Sequence, residues 1–569
     1  MLRLLEPALR VVETADGMIL EPLAPMPPPV PTVLDWLDRA PPERTFLAER
    51  DASPGWSRVT YGEAARNVAS VAGALVERGA GPRAPVLVLS DNSIDHALVS
   101  LAAMHAGAPV VPVSPAYALL SSTFRRLRYI SELVQPAVVF ADDRTRFAKA
   151  IAAIAPRHVM TSEDVRAATH APIARAAIGP ESVAKVLFTS GSTGEPKGVV
   201  NTHRMLTSNQ ESLAACWPFL ADAPPVVVDW LPWSHTFGGN HNLNLILRNA
   251  GTLYVDRGRP APGLLDVTLR NLADVGPTLW FNVPRGFDQS VLALERDPDL
   301  ARAVFRNLRL LFYAAAALAP TTRERLEVVA RAAGNPHVFF TSAWGSTETS
   351  PLATSAHFKT PTTGVLGVPV PGTSLKLARV DDKLELRVKG PNVTPGYWQR
   401  GGTIAPVTLD EDGFLPTGDA GRLVDPSRPE AGVVFGGRIS ENFKLSSGTW
   451  VNVGAVRLAL VDACAPLVAD VIVAGHDRES LGVLIVLSPS ANDDVRNRLR
   501  RALDAYGAAH PASSERIRRA LVLGRPLSLD DGETTDKGYT NQRRVLETRA
   551  ADVARLFADR PDVDVLVLD

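Results

Sequence analysis

The chain has 569 residues, of which 46% are hydrophobic and 21% are charged, and its formal net charge at pH 7 is −1. This length predicts three or four structural units of roughly 100 to 200 residues each. The 60 Lys and Arg residues balance 61 Asp and Glu residues, which excludes the basic surface expected of a nucleic-acid-binding protein. Cys216 and Cys464 are the two cysteines, so a disulfide framework or a zinc site is not expected, although one disulfide stays open.

Residues 1–30 contain charged side chains and a proline cluster but lack the apolar core of a secretion signal. No later segment offers the ~20 uninterrupted apolar residues that a membrane helix needs. We therefore expect a cytoplasmic protein without a membrane span, in which residues 1–30 form an N-terminal extension.

Helical and strand-like segments alternate in the first part of the chain. Apolar residues at helical spacing follow residue 31, and the pattern then predicts helices over residues 61–75, 93–106 and 121–134 and strands over residues 84–90, 109–113 and 137–141. Strands that alternate with helices predict an α/β fold whose sheet is mostly parallel and covered on both faces.

An apolar segment at residues 185–188 leads into a loop rich in hydroxyl groups and glycine. The residues concerned are Thr189, Ser190, Gly191, Ser192, Thr193, Gly194 and, three positions later, Lys197. Glycines let backbone N–H groups converge on a phosphate, hydroxyls add donors, and lysine adds positive charge. Flexible linkers have a similar composition, so composition alone leaves both interpretations open. The loop is not an NTPase P-loop, because Lys197 is flanked by Pro196 and Gly198.

Residues 189–198 resemble the signature of the adenylate-forming superfamily, which includes AMP-binding acyl-CoA synthetases, peptide-synthetase adenylation domains and beetle luciferases. Further motifs follow in the order of that superfamily, from about residue 33 to residue 547. The resemblance implies a large adenylation domain of packed α/β subdomains over residues 31–437. It also implies a small mobile α/β lid over residues 438–569, in which the sequence predicts strands over 468–474, 482–487 and 520–523 and a helix over 493–506.

The segment that begins at Trp344 is similar to the superfamily's aromatic-Gly-x-Thr-Glu motif, with Gly345, Thr347 and Glu348 in the matching positions. The resemblance implies that the ring stacks on adenine and that the threonine hydroxyl donates to a phosphate. It makes Glu348 the ligand of Mg²⁺, a cation that prefers carboxylate and phosphate oxygens.

Two further positions resemble the superfamily's ribose-binding residues. An aspartate after glycine is usually a turn residue, but Asp419 matches the carboxylate that accepts both ribose hydroxyls. Arg438 matches the arginine that reaches ribose and phosphate. Ser440 occupies the hinge position at which relatives have Asp or Lys, so the hinge here carries no charge.

The resemblance also implies an acyl pocket. A histidine near aromatic residues is more often a packed core residue, yet the spacing around His235 resembles the superfamily segment that closes one pocket wall. The residues assigned to this pocket are His235, Phe237, Gly239 and Ala314, and Ala315 and Ala316 are expected to lie against adenine. An alanine run is also typical of a helix start. The segment 226–239 is expected to run from a strand into a loop.

The lid contributes two segments by the same resemblance. Lys444, Ser447, Gly448 and Trp450 are expected to face coenzyme A, in a segment one residue longer than the superfamily's Lys-x-x-Gly. A lysine beside glycine usually lies on the surface, but Lys537 aligns with the catalytic lysine of the lid. Its setting, Asp-Lys-Gly-Tyr, looks most like the bacterial feruloyl-CoA synthase branch.

The sequence thus predicts an AMP-forming acid:CoA ligase that uses ATP, Mg²⁺ and coenzyme A, with Lys537, His235 and Glu348 as catalytic residues. The first-choice substrate is a hydroxycinnamate such as ferulate, and a medium-chain or long-chain fatty acid is the alternative. A non-catalytic ATP-binding regulator is the alternative from another class. The sequence leaves the oligomeric state open, a homodimer included.

Overall fold

A computed structural model describes residues 2–50, 55–167, 170–189, 195–316, 318–360, 362–488, 494–535, 538 and 540–568. Within these ranges the chain has a mixed α/β fold with a large N-terminal domain and a small C-terminal domain. Ser190, Gly191, Ser192, Thr193 and Gly194 of the predicted phosphate loop, and the predicted catalytic Lys537, lie outside the described residues.

The strands, in chain order, are β1 (Leu9–Thr14), β2 (Gly17–Pro22), β3 (Thr45–Glu49), β4 (Ser57–Thr60), β5 (Val86–Leu89), β6 (Val110–Pro112), β7 (Val138–Ala141), β8 (Val159–Thr161), β9 (Val183–Thr189), β10 (Lys197–Thr202), β11 (Val226–Asp229), β12 (Thr252–Val255), β13 (Leu279–Asn282), β14 (Leu310–Tyr313), β15 (Phe339–Gly345), β16 (Leu352–Ser355), β17 (Val365–Pro369), β18 (Ser374–Val380), β19 (Lys383–Lys389), β20 (Gly396–Trp398), β21 (Ile404–Pro406), β22 (Leu415–Leu423), β23 (Val433–Arg438), β24 (Phe443–Lys444), β25 (Trp450–Val451), β26 (Val468–Ala474), β27 (Leu481–Leu487), β28 (Ile517–Val522) and β29 (Val565–Val567).

The α-helices are α1 (Leu34–Arg39), α2 (Tyr61–Glu77), α3 (Ile94–His105), α4 (Pro115–Leu119), α5 (Arg125–Val134), α6 (Ala148–Ile154), α7 (Ser162–Arg166), α8 (His203–Cys216), α9 (Leu243–Arg248), α10 (Leu265–Val275), α11 (Pro284–Arg296), α12 (Pro298–Phe305), α13 (Pro320–Ala332), α14 (Val453–Ala463), α15 (Val495–Ala509), α16 (Gln542–Thr548) and α17 (Ala550–Leu556). Short 3₁₀ turns span Pro218–Ala221, Thr347–Thr349 and Pro429–Ala431, and a π-helix spans Phe237–Asn242.

An eight-stranded sheet has the order β21-β20-β10-β9-β6-β5-β7-β8. Its strands β5 to β9 pair in parallel, as the alternating pattern predicts, whereas β10, β20 and β21 are antiparallel additions. The helix predicted from residue 121 begins only at Arg125, because Phe124 adopts a left-handed φ of 52° and Pro115 starts a separate helix, α4.

A fifteen-stranded sheet has the order β1-β2-β18-β19-β22-β23-β17-β16-β15-β14-β13-β11-β12-β3-β4. The strands β3 and β11 to β15 are parallel, and the rest of the sheet is antiparallel. One apolar core joins both sheets and the helices α2 and α3, and its buried members include Val68 and Leu101 of these helices, Val86 of the smaller sheet and Leu253 of the larger one.

Residues 1–30 contain a hairpin that the sequence analysis did not predict. The strands β1 and β2 pair with each other, and β2 continues the sheet by pairing Leu20 with Leu375 of β18. Gly17, the first residue of β2, pairs with Ala378 of β18, and a Cβ atom there would lie 1.9 Å from the carbonyl oxygen of Leu377, so this close approach of the two strands needs glycine. The turn itself consists of Ala15 and Asp16, between the paired residues Thr14 and Gly17.

The small domain has a four-stranded sheet with the order β26-β27-β28-β29. Its apolar core joins α14 and α15 to the sheet through Val456, Val473, Val483 and Leu499. The predicted strands correspond to β26, β27 and β28, and the predicted helix corresponds to α15.

In the part of the chain that the structure describes, every helix falls short of the length and apolar character needed to cross a membrane. Cys216 and Cys464 are both buried, and each has a free thiol.

Candidate active site

The hairpin of β9 and β10 carries the two ends of the predicted phosphate loop. Thr189 ends β9 and pairs with Lys197, the first residue of β10. The exposed Lys197 extends its Nζ atom to 5.3 Å from the ring centroid of Tyr397, a cation–π distance. At Gly198, a Cβ atom would lie only 2.9 Å from Cγ1 of Val186. The fold thus holds both described ends of the loop beside strand β20.

Tyr397, which the sequence analysis did not assign, connects this lysine to the predicted magnesium ligand. Its hydroxyl lies near the carboxylate of Glu348, and burial together with that carboxylate raises the pKa of Tyr397 to about 12. The backbone oxygen of Glu348 accepts a hydrogen bond from the N–H of Thr394 at 2.8 Å. Lys197, Tyr397 and Glu348 therefore form one continuous polar edge.

Asp419 lies opposite Arg438 in the antiparallel register of β22 and β23. Its Oδ2 atom accepts a hydrogen bond from the indole N–H of Trp344 at 2.9 Å, and its Oδ1 atom lies 2.9 Å from Nε of Arg438. Burial raises the pKa of Asp419, whereas the positive charge of Arg438 lowers it. Among the described residues Oδ1 accepts no hydrogen bond of good geometry, which leaves it able to accept one from a ligand hydroxyl.

The strand β15 brings Trp344 and Gly345 into this site. The indole is 9% exposed, and a Cβ atom on Gly345 would lie 1.6 Å from the carbonyl oxygen of Pro351, so only glycine fits there. Thr347 is buried in the 3₁₀ turn that also contains Glu348. Because Trp344 is largely buried and bonded to Asp419, its stacking on adenine stays a prediction.

The alanine run forms a strained bend and does not start a helix. It follows β14, and Ala315 has a left-handed φ of 74°. Such a backbone costs a residue other than glycine roughly 1 to 2 kcal/mol, and strain of this kind is common at functional sites. The helix interpretation of this run is therefore wrong, since α13 begins only at Pro320. Ala314 is half-buried, and Ala315 and Ala316 are exposed.

The predicted pocket wall begins in the turn that contains His235. Its Nδ1 atom accepts a hydrogen bond from the N–H of Phe237 at 3.3 Å, and its backbone oxygen accepts one from Gly239 at 2.8 Å. The expected loop ends earlier than predicted, because Phe237 begins a π-helix, a rare element frequent at functional sites. Gly239 is needed because a Cβ atom there would lie 2.3 Å from the carbonyl oxygen of Trp233.

Buried polar groups hold this π-helix against the sheet. Lys185 of β9 is 5% exposed and donates from Nζ to the carbonyl oxygen of Gly239 at 2.7 Å. Burial lowers the pKa of this lysine to about 7. Asn240 donates to Oδ1 of Asn201 at 2.7 Å and to the hydroxyl of Thr236 at 3.1 Å. The position of the wall therefore depends on contacts with the strands that lead into and out of the phosphate loop.

Behind Phe237 lies an aromatic cluster, which the sequence analysis missed. Its members are Trp217, Phe237, His241, Phe281 and Phe312. The His241 ring stacks on Phe312 with ring centroids 5.0 Å apart, and it lies 5.4 Å from Phe281 and 5.8 Å from Phe237. These residues come from four separate segments, so no local sequence signal could have found them.

His241 is the polar member of this aromatic cluster. It is 1% exposed, and burial lowers its pKa to about 4, so the ring is neutral at pH 7. Asn242 donates through Nδ2 to Asp229 at 2.8 Å, which leaves Oδ1 of Asn242 to accept from Nδ1 of His241 at 2.9 Å. The Nε2 atom of His241 therefore carries a lone pair, and it has no hydrogen-bond partner among the described residues.

The predicted hinge and coenzyme A segment follow β23. Ser440 lies exposed in the turn after Arg438. The strands β24 and β25 form a hairpin, and its turn contains the one residue by which this segment is longer than the superfamily's Lys-x-x-Gly. Gly448 in this turn has a φ of 82°. Lys444, Ser447 and Gly448 are exposed.

Trp450 of this hairpin packs on the turn between β18 and β19. Its indole N–H donates to Asp382 at 2.7 Å, and the Nζ atoms of Lys383 and Lys444 lie 4.7 Å and 4.8 Å from its ring. In this orientation of the lid, the predicted coenzyme A segment is therefore held at the β18–β19 turn.

The large α/β domain with a phosphate-loop hairpin, the buried carboxylate between Trp344 and Arg438, and the small lid define an adenylate-forming enzyme. Residues 34–398 match the AMP-binding enzyme family, and residues 442–561 match the AMP-binding enzyme C-terminal domain. The chain therefore belongs to the AMP-binding enzyme family, and acyl-CoA ligases are among the relatives to which it is similar.

A methyl-dioxo-octahydroindenyl propanoyl:CoA ligase from Mycobacterium tuberculosis is 30% identical over 414 residues, covering 69% of this chain and 76% of the relative. The long-chain-fatty-acid–CoA ligase FadD15 of Mycobacterium bovis is 23% identical over 588 residues, covering 88% and 92%. ATP-bound MatB from Rhodopseudomonas palustris has the same fold, with a TM-score of 0.71 and 23% identity over 92% of this chain and 99% of MatB.

Proposed function

We propose that the protein converts a compact aromatic acid, a hydroxycinnamate such as ferulate, into its coenzyme A thioester. The aromatic cluster is the observation that supports this choice, because five packed rings behind the pocket wall favour a short flat acid over a long flexible chain. The 30% identical relative from Mycobacterium tuberculosis is a ligase for a ring-bearing propanoate. A fatty acid remains the second candidate, because FadD15 is a long-chain-fatty-acid–CoA ligase.

In the first half-reaction, a carboxylate oxygen of the acid forms a bond to the α-phosphorus of ATP, and the bond from that phosphorus to pyrophosphate breaks. Lys197 and the phosphate loop hold the departing phosphates, and Lys537 bridges the carboxylate and the α-phosphate. Glu348 is the carboxylate that would hold Mg²⁺, which would neutralise phosphate charge when bound. No group of three or more metal-ligating side chains occurs within the described ranges, so ATP oxygens and water would complete the coordination.

The same site residues bind the nucleotide. Oδ1 of Asp419 accepts a hydrogen bond from a ribose hydroxyl, and Arg438 lies beside this carboxylate. Ala315 and Ala316 lie exposed at the end of β14, where a flat base can rest on small side chains.

In the second half-reaction the lid turns about Ser440, and the segment from Lys444 to Trp450 leaves the β18–β19 turn to face coenzyme A. The thiolate sulfur attacks the acyl carbonyl, a thioester forms, and the bond to AMP breaks.

The test is pyrophosphate release with MgATP and a panel of hydroxycinnamates, benzoates and fatty acids, each with and without coenzyme A. We expect thioester formation with a hydroxycinnamate. Turnover only with fatty acids would assign the enzyme to that substrate class. No turnover with any acid, while ATP still binds, would favour a non-catalytic ATP-binding regulator.

Replacing His241 with phenylalanine is expected to lower kcat/KM for 4-hydroxycinnamate about tenfold, because the variant loses Nε2, the acceptor of a hydrogen bond from the phenolic hydroxyl. Phenylalanine keeps a ring in the stack on Phe312, so kcat/KM for unsubstituted cinnamate is expected to change less than twofold. Steady-state kinetics with both acids measure the difference. An equal loss for both acids would mean that His241 only packs the cluster.

Replacing Ser440 with proline is expected to slow thiolysis selectively, because the ring restricts φ at the residue about which the lid turns. Single-turnover rates of adenylation and of thiolysis, measured separately, test this. Ser427→Pro, in another exposed turn, is the control for a proline away from the hinge, and it removes the bond that the N–H of Ser427 donates to Asp425. An unchanged thiolysis rate in Ser440→Pro would place the hinge elsewhere.

A further inference from the structure

We propose that Asp530 is a positioning residue for the adenylation half-reaction, which rests on the proposed function. Its carboxylate holds the lid segment that precedes Lys537 against the large domain. We call the contact of Asp530 with Ser121 and Ser122 the carboxylate clasp.

The clasp consists of three hydrogen bonds across the domain boundary. Asp530 accepts from the hydroxyl of Ser121 at 2.5 Å, from the backbone N–H of Ser122 at 3.0 Å and from the hydroxyl of Ser122 at 2.8 Å. Burial by itself raises the pKa of Asp530, but the hydrogen bonds from Ser121 and Ser122 lower it further, so the pKa lies below its usual value. The carboxylate is therefore charged at neutral pH, and bonds to a charged acceptor are among the stronger ones in proteins.

On the large domain, the clasp is connected to Glu195 and to the strands β9 and β10. The Ser121 hydroxyl also accepts the N–H of Phe124 at 2.9 Å, which fixes its orientation at the start of α5. The following residue, Arg125, lies 3.4 Å from the carboxylate of Glu195, which follows the predicted phosphate loop. Leu529 packs against the core cluster that contains Val186 and Val200 of β9 and β10.

On the lid, the clasp is joined to both sides of the segment that contains Lys537. The backbone N–H of Glu533 donates to Ser528 at 2.9 Å, and that of Asn541 donates to Glu533 at 2.9 Å. Glu533 is also buried in an ion pair with Arg549, at 2.6 Å and 2.8 Å. Thr534 and Thr540 form an antiparallel bridge. A fixed Asp530 therefore restricts the positions of Thr534 and Thr540, on either side of Lys537, relative to the large domain.

The three bonds exist only while this face of the lid lies on Ser121 and Ser122. Rotation of the lid for thiolysis has to break them, so the clasp stabilises one orientation and not the other. Asp530 touches neither substrate in this scheme, and it acts through the lid segment that it holds.

The test measures the two half-reactions separately for Asp530→Ala, with the neighbouring Asp531→Asn as the matched control. We expect Asp530→Ala to lower the rate of pyrophosphate release at least tenfold and to change thiolysis of a supplied acyl-adenylate less than twofold. The Asp531→Asn variant is expected to match the wild type in both. An equal loss in both half-reactions, or no loss in either, would overturn the proposal.

A double-mutant cycle checks the partners. Ser121→Ala combined with Ser122→Ala removes both hydroxyl donors but keeps the backbone N–H of Ser122, so a smaller adenylation defect than that of Asp530→Ala is expected. Adding Asp530→Ala to this pair is expected to lower the rate only to that of Asp530→Ala alone. Additive losses would mean that Asp530 acts independently of the two serines.

Hydrogen exchange separates this proposal from the proposed function, because it needs no substrate. In Asp530→Ala, the amides of residues 122–126 are expected to exchange faster than in the wild type. If the enzyme converts no hydroxycinnamate but shows this change in exchange, the proposed substrate is wrong and the proposed clasp stands. The half-reactions can then be measured with the acyl-adenylate of any acid that the enzyme accepts. Unchanged exchange at these amides would contradict the clasp whatever the substrate is.

Discussion

Replacing Lys537 with alanine is expected to lower the rate of acyl-adenylate formation by about 10² to 10³, the effect of removing one donor from a developing negative charge. The reaction brings an anionic carboxylate to an anionic α-phosphate, and a cation between them reduces that repulsion. Thiolysis requires no such contact, so a supplied acyl-adenylate is expected to react with coenzyme A at nearly the wild-type rate. Pyrophosphate release and thioester formation from the isolated adenylate measure the two steps.

Lys444→Ala is the reciprocal control for this prediction. Lys444 is exposed in the segment predicted to face coenzyme A, so its loss is expected to raise KM for coenzyme A and leave pyrophosphate release unchanged. If Lys537→Ala leaves both half-reactions intact, Lys537 is not the catalytic lysine. If it impairs both equally, the lysine supports the lid and does not act in adenylation.

Replacing Glu348 with glutamine is expected to lower adenylation at least a hundredfold at millimolar Mg²⁺, since metal-assisted charge neutralisation is worth several kcal/mol. Glutamine preserves the size of the side chain and an oxygen for the hydroxyl of Tyr397, so the fold is expected to remain intact. The weaker ligand is expected to raise the Mg²⁺ concentration that gives half-maximal activity. A titration of pyrophosphate release against Mg²⁺ measures both effects.

Tyr397→Phe is the matched control, because it removes the hydroxyl near Glu348 and leaves the carboxylate. We expect it to lower adenylation less than tenfold and to shift the Mg²⁺ titration little. An unchanged Mg²⁺ requirement in Glu348→Gln would mean that another group holds the metal.

The motifs around Lys197, Trp344 and Asp419 were predicted from the sequence because each is a short run of residues that resembles a motif of the superfamily. The segments of the first parallel sheet were also predicted, because strands such as β5 and β7 are buried on both faces and form continuous apolar runs. The alanine run shows the limit of such reasoning. Alanine favours helices locally, yet the end of β14 imposes a left-handed φ on Ala315.

Contacts between distant segments required the tertiary structure. Phe281 and His241 meet in the aromatic cluster although they lie on different elements, and Asp530 reaches Ser121 across the domain boundary. Neither pairing leaves a periodic or local signal, because the residues converge only when the sheets and the lid pack.

By itself, the sequence determined the α/β class, the adenylate-forming motifs and their order, because these depend on local pattern and on short runs of functional residues. The tertiary structure alone decided how the pocket wall is backed, how residues 1–30 join the larger sheet through Leu20, and which lid surface contacts the large domain. The physical reason is that burial and hydrogen-bond partners are set by residues far apart in the chain, whose contacts arise only on folding.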